Sequence, residues 1–180
     1  MKRNILTAFA ATSLLFYSTQ AFALINFSAG IPFSHTITGK DTDGSEINSD
    51  GVSGMFIQVG VPIFPGVGMD SYKTKLKDTT IELATMIYNL YYQLPIPVIN
   101  LTIGVGAGST ELQCSTCSSI FEKGPATQWY ASFGMPIIPL FDLHLSYRSV
   151  SSKIKIKSAG GGGEHDFSGN VMGLGIGFNF

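Results

Sequence analysis

The sequence predicts an all-β chain that folds as an eight-stranded antiparallel up-and-down transmembrane β-barrel. Three observations favour this class. Bulky apolar residues alternate with small or polar ones in eight separate stretches, and the connections alternate between polar loops and short proline-containing turns. Charged residues make up 13% of the chain, against about 25% in an ordinary soluble domain. So few charged residues are typical of a protein whose surface is not mainly exposed to water.

The amino-terminal 23 residues are predicted to be a signal peptide that is removed on export. A basic n-region and an apolar h-region (5–16) precede Ala21-Phe22-Ala23, which has the small-x-small form of a cleavage site. The apolar run is shorter than the roughly 20 residues of a membrane-spanning helix. An uncleaved amino-terminal anchor is the alternative. We therefore expect a signal peptide at 1–23 and a single barrel domain at 24–180.

The strongest strand pattern is at the carboxyl terminus. Met172, Leu174 and Ile176 alternate there with glycines, which is the period of a strand between two unlike environments. In an earlier strand, Phe56 interrupts the small face. In the first strand, the alternation places Ile37 on the bulky face and Thr36 on the small face. The predicted strands span residues 25–38, 53–61, 67–76, 80–93, 99–108, 126–135, 140–157 and 167–180.

The connections between these strands predict which end of the barrel faces outward. Three of the four polar connections are long (39–52, 109–125 and 158–166), whereas the three proline turns are short. Outer-membrane barrels have short periplasmic turns and longer external loops. Because an eight-stranded barrel has room inside only for side chains, we expect the small polar face in the lumen and the bulky face against lipid. The alternative is a soluble periplasmic lipocalin-like barrel with the bulky face inside, but the other face offers few charges for a soluble exterior.

The signal peptide, the eight strands and the ending Gly175-Ile176-Gly177-Phe178-Asn179-Phe180 together resemble small outer-membrane β-barrels of Gram-negative bacteria. The resemblance is to the OmpA-like and OmpX-like type, and most closely to a group described only as outer membrane proteins. It implies a monomer in the outer membrane, inserted by the barrel-assembly machinery, with Phe178 and Phe180 in the assembly signal. It does not fix activity. We expect a structural or surface-interaction role through the external loops, with a narrow pore for small solutes as the alternative.

A lipid-modifying enzyme is a third hypothesis. His144-Leu145-Ser146 resembles the His-x-Ser of the lipid A deacylase PagL, which implies Glu164 as the acid, although Tyr147 stands where that family has asparagine. The favoured interpretation is a polar network in the lumen, because buried charges must be paired. We therefore expect no enzymatic activity. The residues predicted to form this network are Asp70, Glu82, Asp142, His144 and Arg148.

Cys114 and Cys117 are predicted to form a local disulfide, since an exported chain meets an oxidising compartment. A redox centre would require a thioredoxin-like setting, and a zinc site would require two further ligands. The acidic segment 41–46 lacks the full spacing of a calcium loop, so we expect no metal and no cofactor. The net charge of −1 gives no reason to expect a nucleic-acid partner.

Lysines alternate with other residues near the outer ends of two strands. There they are predicted to contact the phosphates of lipopolysaccharide, which is an electrostatic match. A solvated extension of the strands above the membrane is the alternative. The candidate lysines are Lys73, Lys75, Lys153, Lys155 and Lys157.

Overall fold

The computed structural model describes residues 25–41, 43–94, 96, 99–138, 140–157 and 163–179. The predicted signal peptide and Phe180 lie outside this part. Within it the chain forms nine strands and one four-residue helix, and no described helix has the length and apolar character needed to cross a membrane. The elements are β1 (Asn26–Ile37), β2 (Ser49–Gly60), β3 (Gly66–Leu76), β4 (Glu82–Leu94), β5 (Asn100–Gln113), α1 (Cys117–Ile120), β6 (Gly124–Ile138), β7 (Phe141–Lys155), β8 (Glu164–Asp166) and β9 (Gly169–Asn179).

Eight of these strands form a closed antiparallel barrel, which confirms the predicted fold class. Strands β1 to β7 each pair with the next in sequence, and β9 pairs with both β7 and β1. The closing pairing between β1 and β9 runs from Asn26↔Asn179 to Ile37↔Gly169. The short strand β8 pairs only with the end of β7, from Lys153 to Lys155. We call the end of the barrel that carries β8 and α1 the loop end, and the opposite end the turn end.

Strands β2, β5 and β6 reach further toward the loop end than the alternation predicts. Strand β5 continues to Gln113 and β6 begins at Gly124, so the predicted loop 109–125 is reduced to 114–123. The extension of β5 keeps its pairing with β4, as in Leu83↔Leu112. Both leucines are buried there, and this packing at the loop end is why the strands continue past the apolar band.

The two faces of the barrel wall have the predicted orientation. In β4, Tyr88 and Leu90 face outward with more than half of their surface exposed, whereas Ile87 and Asn89 are buried in the lumen. The outward apolar stretch of β4, from Met86 to Leu94, is nine residues long. A tilted strand needs about 9–11 residues to cross a membrane. The outer face therefore has the length and chemistry of a lipid-facing band.

The predicted face of Ile37 and Thr36 is wrong. A β-bulge between Pro32 and Ser34 shifts the register of β1 against β9. One additional residue reverses the alternation, so every later side chain moves to the other face. His35 is buried in the lumen, Thr36 is exposed, and Ile37 packs against an interior apolar cluster.

One part of the wall lacks regular pairing. Strands β1 and β2 pair from Asn26↔Gly60 to Gly30↔Phe56, and no ladder pair continues beyond this point between them. We call the facing segments 31–34 and 52–55 the β1–β2 seam. Pro32 in this segment has no N–H to donate. At the loop end of the seam, the Ser49 hydroxyl donates to the His35 carbonyl.

Candidate functional site

The centre of the lumen contains a buried ion pair. The Arg148 Nε donates to Asp70 Oδ2 at 2.9 Å, and the two side chains are 2% and 0% exposed. The same carboxylate oxygen accepts from Gln128 Nε2 at 2.5 Å, and that amide also donates to Asn89 Oδ1 at 2.6 Å. Four strands are therefore joined through one polar cluster, in which each charge has an opposite charge and hydrogen-bond partners.

Aromatic rings surround the Arg148 guanidinium. Its carbon lies 3.5 Å from the centroid of the Phe56 ring and 5.0 Å from that of Tyr130, which are cation–π distances. Phe56 fits because a glycine stands opposite: a Cβ at Gly173 would lie 2.4 Å from the ring. The residue that interrupts the alternation in the sequence is thus a lumen-filling side chain. Gly173 pairs with Ser146 in the barrel wall, and its lack of a side chain leaves room in the lumen for the Phe56 ring.

A second polar cluster lies at the turn end. Asp142 Oδ1 is 3.1 Å from His144 Nδ1, and Asp142 Oδ2 accepts from Asn100 at 2.8 Å and from Asn179 at 3.2 Å. Asn26 donates to Asn179 at 2.7 Å. Four of the five residues predicted to form one network therefore divide into two clusters, Asp70–Arg148 and Asp142–His144.

Glu82 belongs to neither cluster, which corrects its predicted place in the lumen. Residues at odd positions of β4 face inward, so Glu82 faces outward. Its carboxylate is 3.6 Å from Lys73 Nζ, and the glutamate side chain is 34% exposed. The alternation of β4 contained this information, because Glu82 is at an even position, like the outward-facing Tyr88 and Leu90.

The His144-x-Ser146 motif faces the lumen and has little free volume beside it. The Ser146 hydroxyl donates to the Gly173 carbonyl at 3.2 Å and accepts from the Arg148 guanidinium. The adjoining cavity measures about 10 Å³, which is space for about one water molecule. Glu164 lies at the loop end, where it pairs with Lys153 at 3.2 Å. The three residues of the predicted triad are therefore not assembled into one site.

An apolar layer lies next to the central ion pair and closes the lumen on its loop side. Tyr72 and Val171 are 2% and 0% exposed, and the Tyr72 ring contacts Phe56 edge-on at 6.1 Å between centroids. Both side chains fill the lumen beside the ion pair. The layer consists of Phe56, Tyr72, Ile87, Ala126, Val150 and Val171.

The connections at the loop end pack on a second apolar core and form a structure that we call the outer cap. Cys114 and Cys117 are joined by a disulfide, which holds α1 with Cys117 buried in this core. Between loops, His165 Nδ1 lies 2.5 Å from Asp41 Oδ1, and the His165 ring packs against Phe121. The outer cap comprises buried Leu83, Leu112, Cys117, Ile154 and Phe167, and around them Ile37, Ile47, Leu76, Ile81, Cys114 and Phe121.

The candidate lysines occupy two opposite walls of the barrel, because β3 and β7 are four strands apart in a ring of eight. Lys153 and Lys155 face outward on β7, but the paired strand β8 places Asp166 and Glu164 directly opposite them. Lys157 is turned toward α1, where Nζ donates to the Ser118 carbonyl at 2.6 Å.

On β3, Glu82 pairs with Lys75 in the ladder and lies 3.6 Å from Lys73 Nζ. The exposed Asp50 on β2 also lies across from Lys75, in the irregular stretch between Ser49↔Leu76 and Val52↔Thr74. Both lysine pairs therefore have acids on neighbouring strands, and the Lys73 side chain is 52% exposed. The acids opposite Lys153 and Lys155 were not expected from the sequence, because β8 falls within a predicted loop.

The predicted assembly-signal residue Phe178 lies in an aromatic cluster at the turn end. Its ring centroid is 4.8 Å from that of Phe141 and 6.3 Å from that of Phe27. These rings lie on the outer face, close to where β1 and β9 close the barrel. Phe180, the other predicted residue, lies outside the described residues.

Comparisons with known proteins agree with this architecture. No protein-family model matches the chain, and no curated protein matches it. Among solved structures it is similar to Neisserial surface protein A, with 13% identity, a TM-score of 0.58, and coverage of 87% of this chain and 96% of that one. It is also similar to the outer membrane protein AlkL in lipid bilayers, with 12% identity, a TM-score of 0.54, and coverage of 88% and 90%. At these identities the similarity shows the fold, that of a small outer-membrane β-barrel.

Proposed function

We propose that this protein is a non-conducting barrel of the outer membrane that presents its outer cap as an ordered interaction surface. The observation that carries the proposal is the apolar core beneath the loops. Ile154 and Leu83 at its centre are 0% and 1% exposed. Loops that only connect strands do not need a core, because the strands are held by their own pairing. A core that fixes loop geometry lowers the ordering cost of binding a partner.

The location is supported by the surface of the wall. Outward side chains such as Val105 and Trp129 are 60% and 53% exposed, and exposed apolar surface of this extent marks contact with a membrane or a partner. Trp129 packs beside Tyr147, whose hydroxyl donates to Asn170 at 2.8 Å. Aromatic residues with polar tips are typical of the membrane interface. The outward-facing charged side chains of β7, Lys153 and Lys155, lie closer to the loop end than these aromatic residues.

The surface of the outer cap provides the contact chemistry. An open recess of about 560 Å³ lies beside α1, within the size range of ligand sites. It has charges of both signs, with Lys123 Nζ 3.8 Å from Glu111. In the loop that contains Asp43, hydrogen bonds from the hydroxyl and backbone of Ser45 lower the pKa of that carboxyl group, which favours its charged form. Because the recess and this loop both carry charges, we infer that the partner is a polar surface component and that it binds in the recess.

The location and orientation are tested by labelling single cysteines on intact cells with a membrane-impermeant maleimide. The two native cysteines are joined to each other and do not compete. Ser45→Cys, exposed at the loop end, is expected to react on intact cells. Phe64→Cys, 67% exposed at the turn end, is expected to react only after the outer membrane is permeabilised.

Both variants are first examined by gel mobility in SDS, boiled against unboiled. A barrel with a closed ladder unfolds slowly and is expected to change mobility on boiling. Equal labelling of the two positions on intact cells would contradict the orientation. Recovery of the protein in the soluble periplasm without a mobility shift would contradict the location and would favour the lipocalin-like alternative.

A further inference from the structure

The ladder between β1 and β2 ends near the loop-side edge of the lipid-facing band. Beyond Gly30↔Phe56 no ladder joins the two strands, although β1 continues along β9 and β2 continues along β3. Gly54 is exposed even though its position in the alternation points to the lumen. Backbone N–H and C=O groups without a ladder partner are costly next to lipid and favour another partner. The seam is therefore a place where a polar group can bind the wall.

The edges of the seam indicate what that partner is. Ile31, Phe33 and Met55 are 60%, 53% and 50% exposed, and they form apolar edges on both strands. Ser34 and Ser53 lie on the loop-end side of Phe33 and Met55. Neither segment of the seam, 31–34 or 52–55, contains a charged residue. An apolar chain that carries an amide or a hydroxyl group fits these edges, because an amide can pair with a strand as another strand does.

A cationic site adjoins the seam on the same wall. Ser53 on β2 pairs directly with Lys73 on β3, so this lysine stands one strand away from the seam, or about 5 Å. Lys73 Nζ is 3.6 Å from Glu82, and the lysine side chain is 52% exposed, so it remains accessible to an anionic ligand. An anionic group held there would lie just beyond the apolar edges, toward the loop end.

We propose that the β1–β2 seam and the Lys73–Lys75 pair form one lipid-binding site for a phosphorylated glycolipid with amide-linked hydroxyacyl chains. The phosphate contacts the two lysines, an acyl chain lies along Phe33 and Met55, and its amide or hydroxyl group pairs with the backbone of the seam, where the ladder is missing. Lys153 and Lys155 are not part of this site. The proposal rests on the outer-membrane location, since lipids of this class form the outer leaflet there.

The test is photocrosslinking of the purified, folded barrel in micelles that contain lipid A. Met55→p-benzoylphenylalanine places the probe on the seam. Phe133→p-benzoylphenylalanine places it on β6, four strands from β2 across the ring of eight, and the two native side chains are 50% and 44% exposed. We expect several-fold more lipid adduct at position 55 than at 133. Phosphatidylglycerol, which is anionic but has only ester-linked chains, is expected to give equal adducts at the two positions.

Charge variants complete the experiment. In the position-55 background, Lys73→Ala/Lys75→Ala is expected to reduce the lipid A adduct about fivefold, as the loss of two exposed ionic contacts implies. Lys153→Ala/Lys155→Ala is expected to leave it unchanged. Equal lipid A adducts at 55 and 133, equal effects of the two double variants, or as much phosphatidylglycerol adduct as lipid A adduct at position 55 would each overturn the site. Every variant must show the boiling-dependent gel shift, which reports that the barrel is folded. Loss of this shift in the unsubstituted protein would count against the proposed function and not against the lipid site.

Discussion

Replacement of Asp70 by alanine is expected to lower the free energy of unfolding by about 3–5 kcal/mol, the cost of leaving one partner of a buried ion pair without the other. The Asp70 carboxylate is fully buried and holds both Arg148 and Gln128. Without it, the Arg148 guanidinium stays in the lumen between Phe56 and Tyr130 with no counter-charge. Urea unfolding in lipid vesicles, followed by the fluorescence of the single tryptophan, Trp129, measures the change.

Two further variants separate this cost from general damage. Glu82→Ala removes the partner of Lys73, but both side chains are partly exposed, so the expected loss is below about 1 kcal/mol. The double variant Asp70→Leu/Arg148→Met removes both charges and is expected to recover most of the loss, because apolar residues of similar volume replace buried ion pairs well. An Asp70→Ala barrel as stable as the wild type would show that the ion pair does not organise the lumen.

Replacement of Ile154 by alanine is expected to destabilise the outer cap by about 3 kcal/mol while leaving the barrel wall folded. Ile154 is fully buried in the cap core, and truncation of such a side chain leaves a cavity that the surroundings fill only in part. Hydrogen exchange measured by mass spectrometry is expected to show faster exchange in 112–121. The amides of β9, which pair on both sides, are expected to keep their protection.

Leu145→Ala on the same strand is the matched control. Its side chain faces outward and is 46% exposed, so its truncation is expected to leave exchange in the cap unchanged. If segment 112–121 already exchanges as fast as an unstructured peptide in the wild-type protein, the cap is not ordered and the proposed interaction surface loses its basis.

The alternation in the sequence was sufficient to predict the barrel, because a period of two is a property of each strand by itself. In β9, Leu174 and Ile176 face outward and the intervening glycines face the lumen, as predicted. The prediction failed where one residue changes the register. The bulge after Pro32 turned Ile37 inward, and no local signal distinguishes a bulge from a regular strand.

The interior depends on contacts between distant strands, and a single sequence does not contain these directly. Arg148 and Asp70 are 78 positions apart, and their pairing follows from the register of the whole barrel. Phe56 was visible as an exception to the alternation, but its role depends on Arg148 above it and Gly173 opposite it. The outer cap was missed because its core residues come from separate segments, such as Leu112 in a predicted loop and Phe167 in a predicted strand, and only the fold brings them together.

The closed lumen is the central claim, and conductance across a planar lipid bilayer tests it most directly. The central ion pair, the Phe56 ring and the apolar layer around Val171 leave a cavity of about 10 Å³ beside Arg148. Wild-type protein inserted at many copies per membrane is therefore predicted to give no conductance steps above the lipid background. Reproducible steps that grow in proportion to salt concentration would show a continuous aqueous path and would contradict the account.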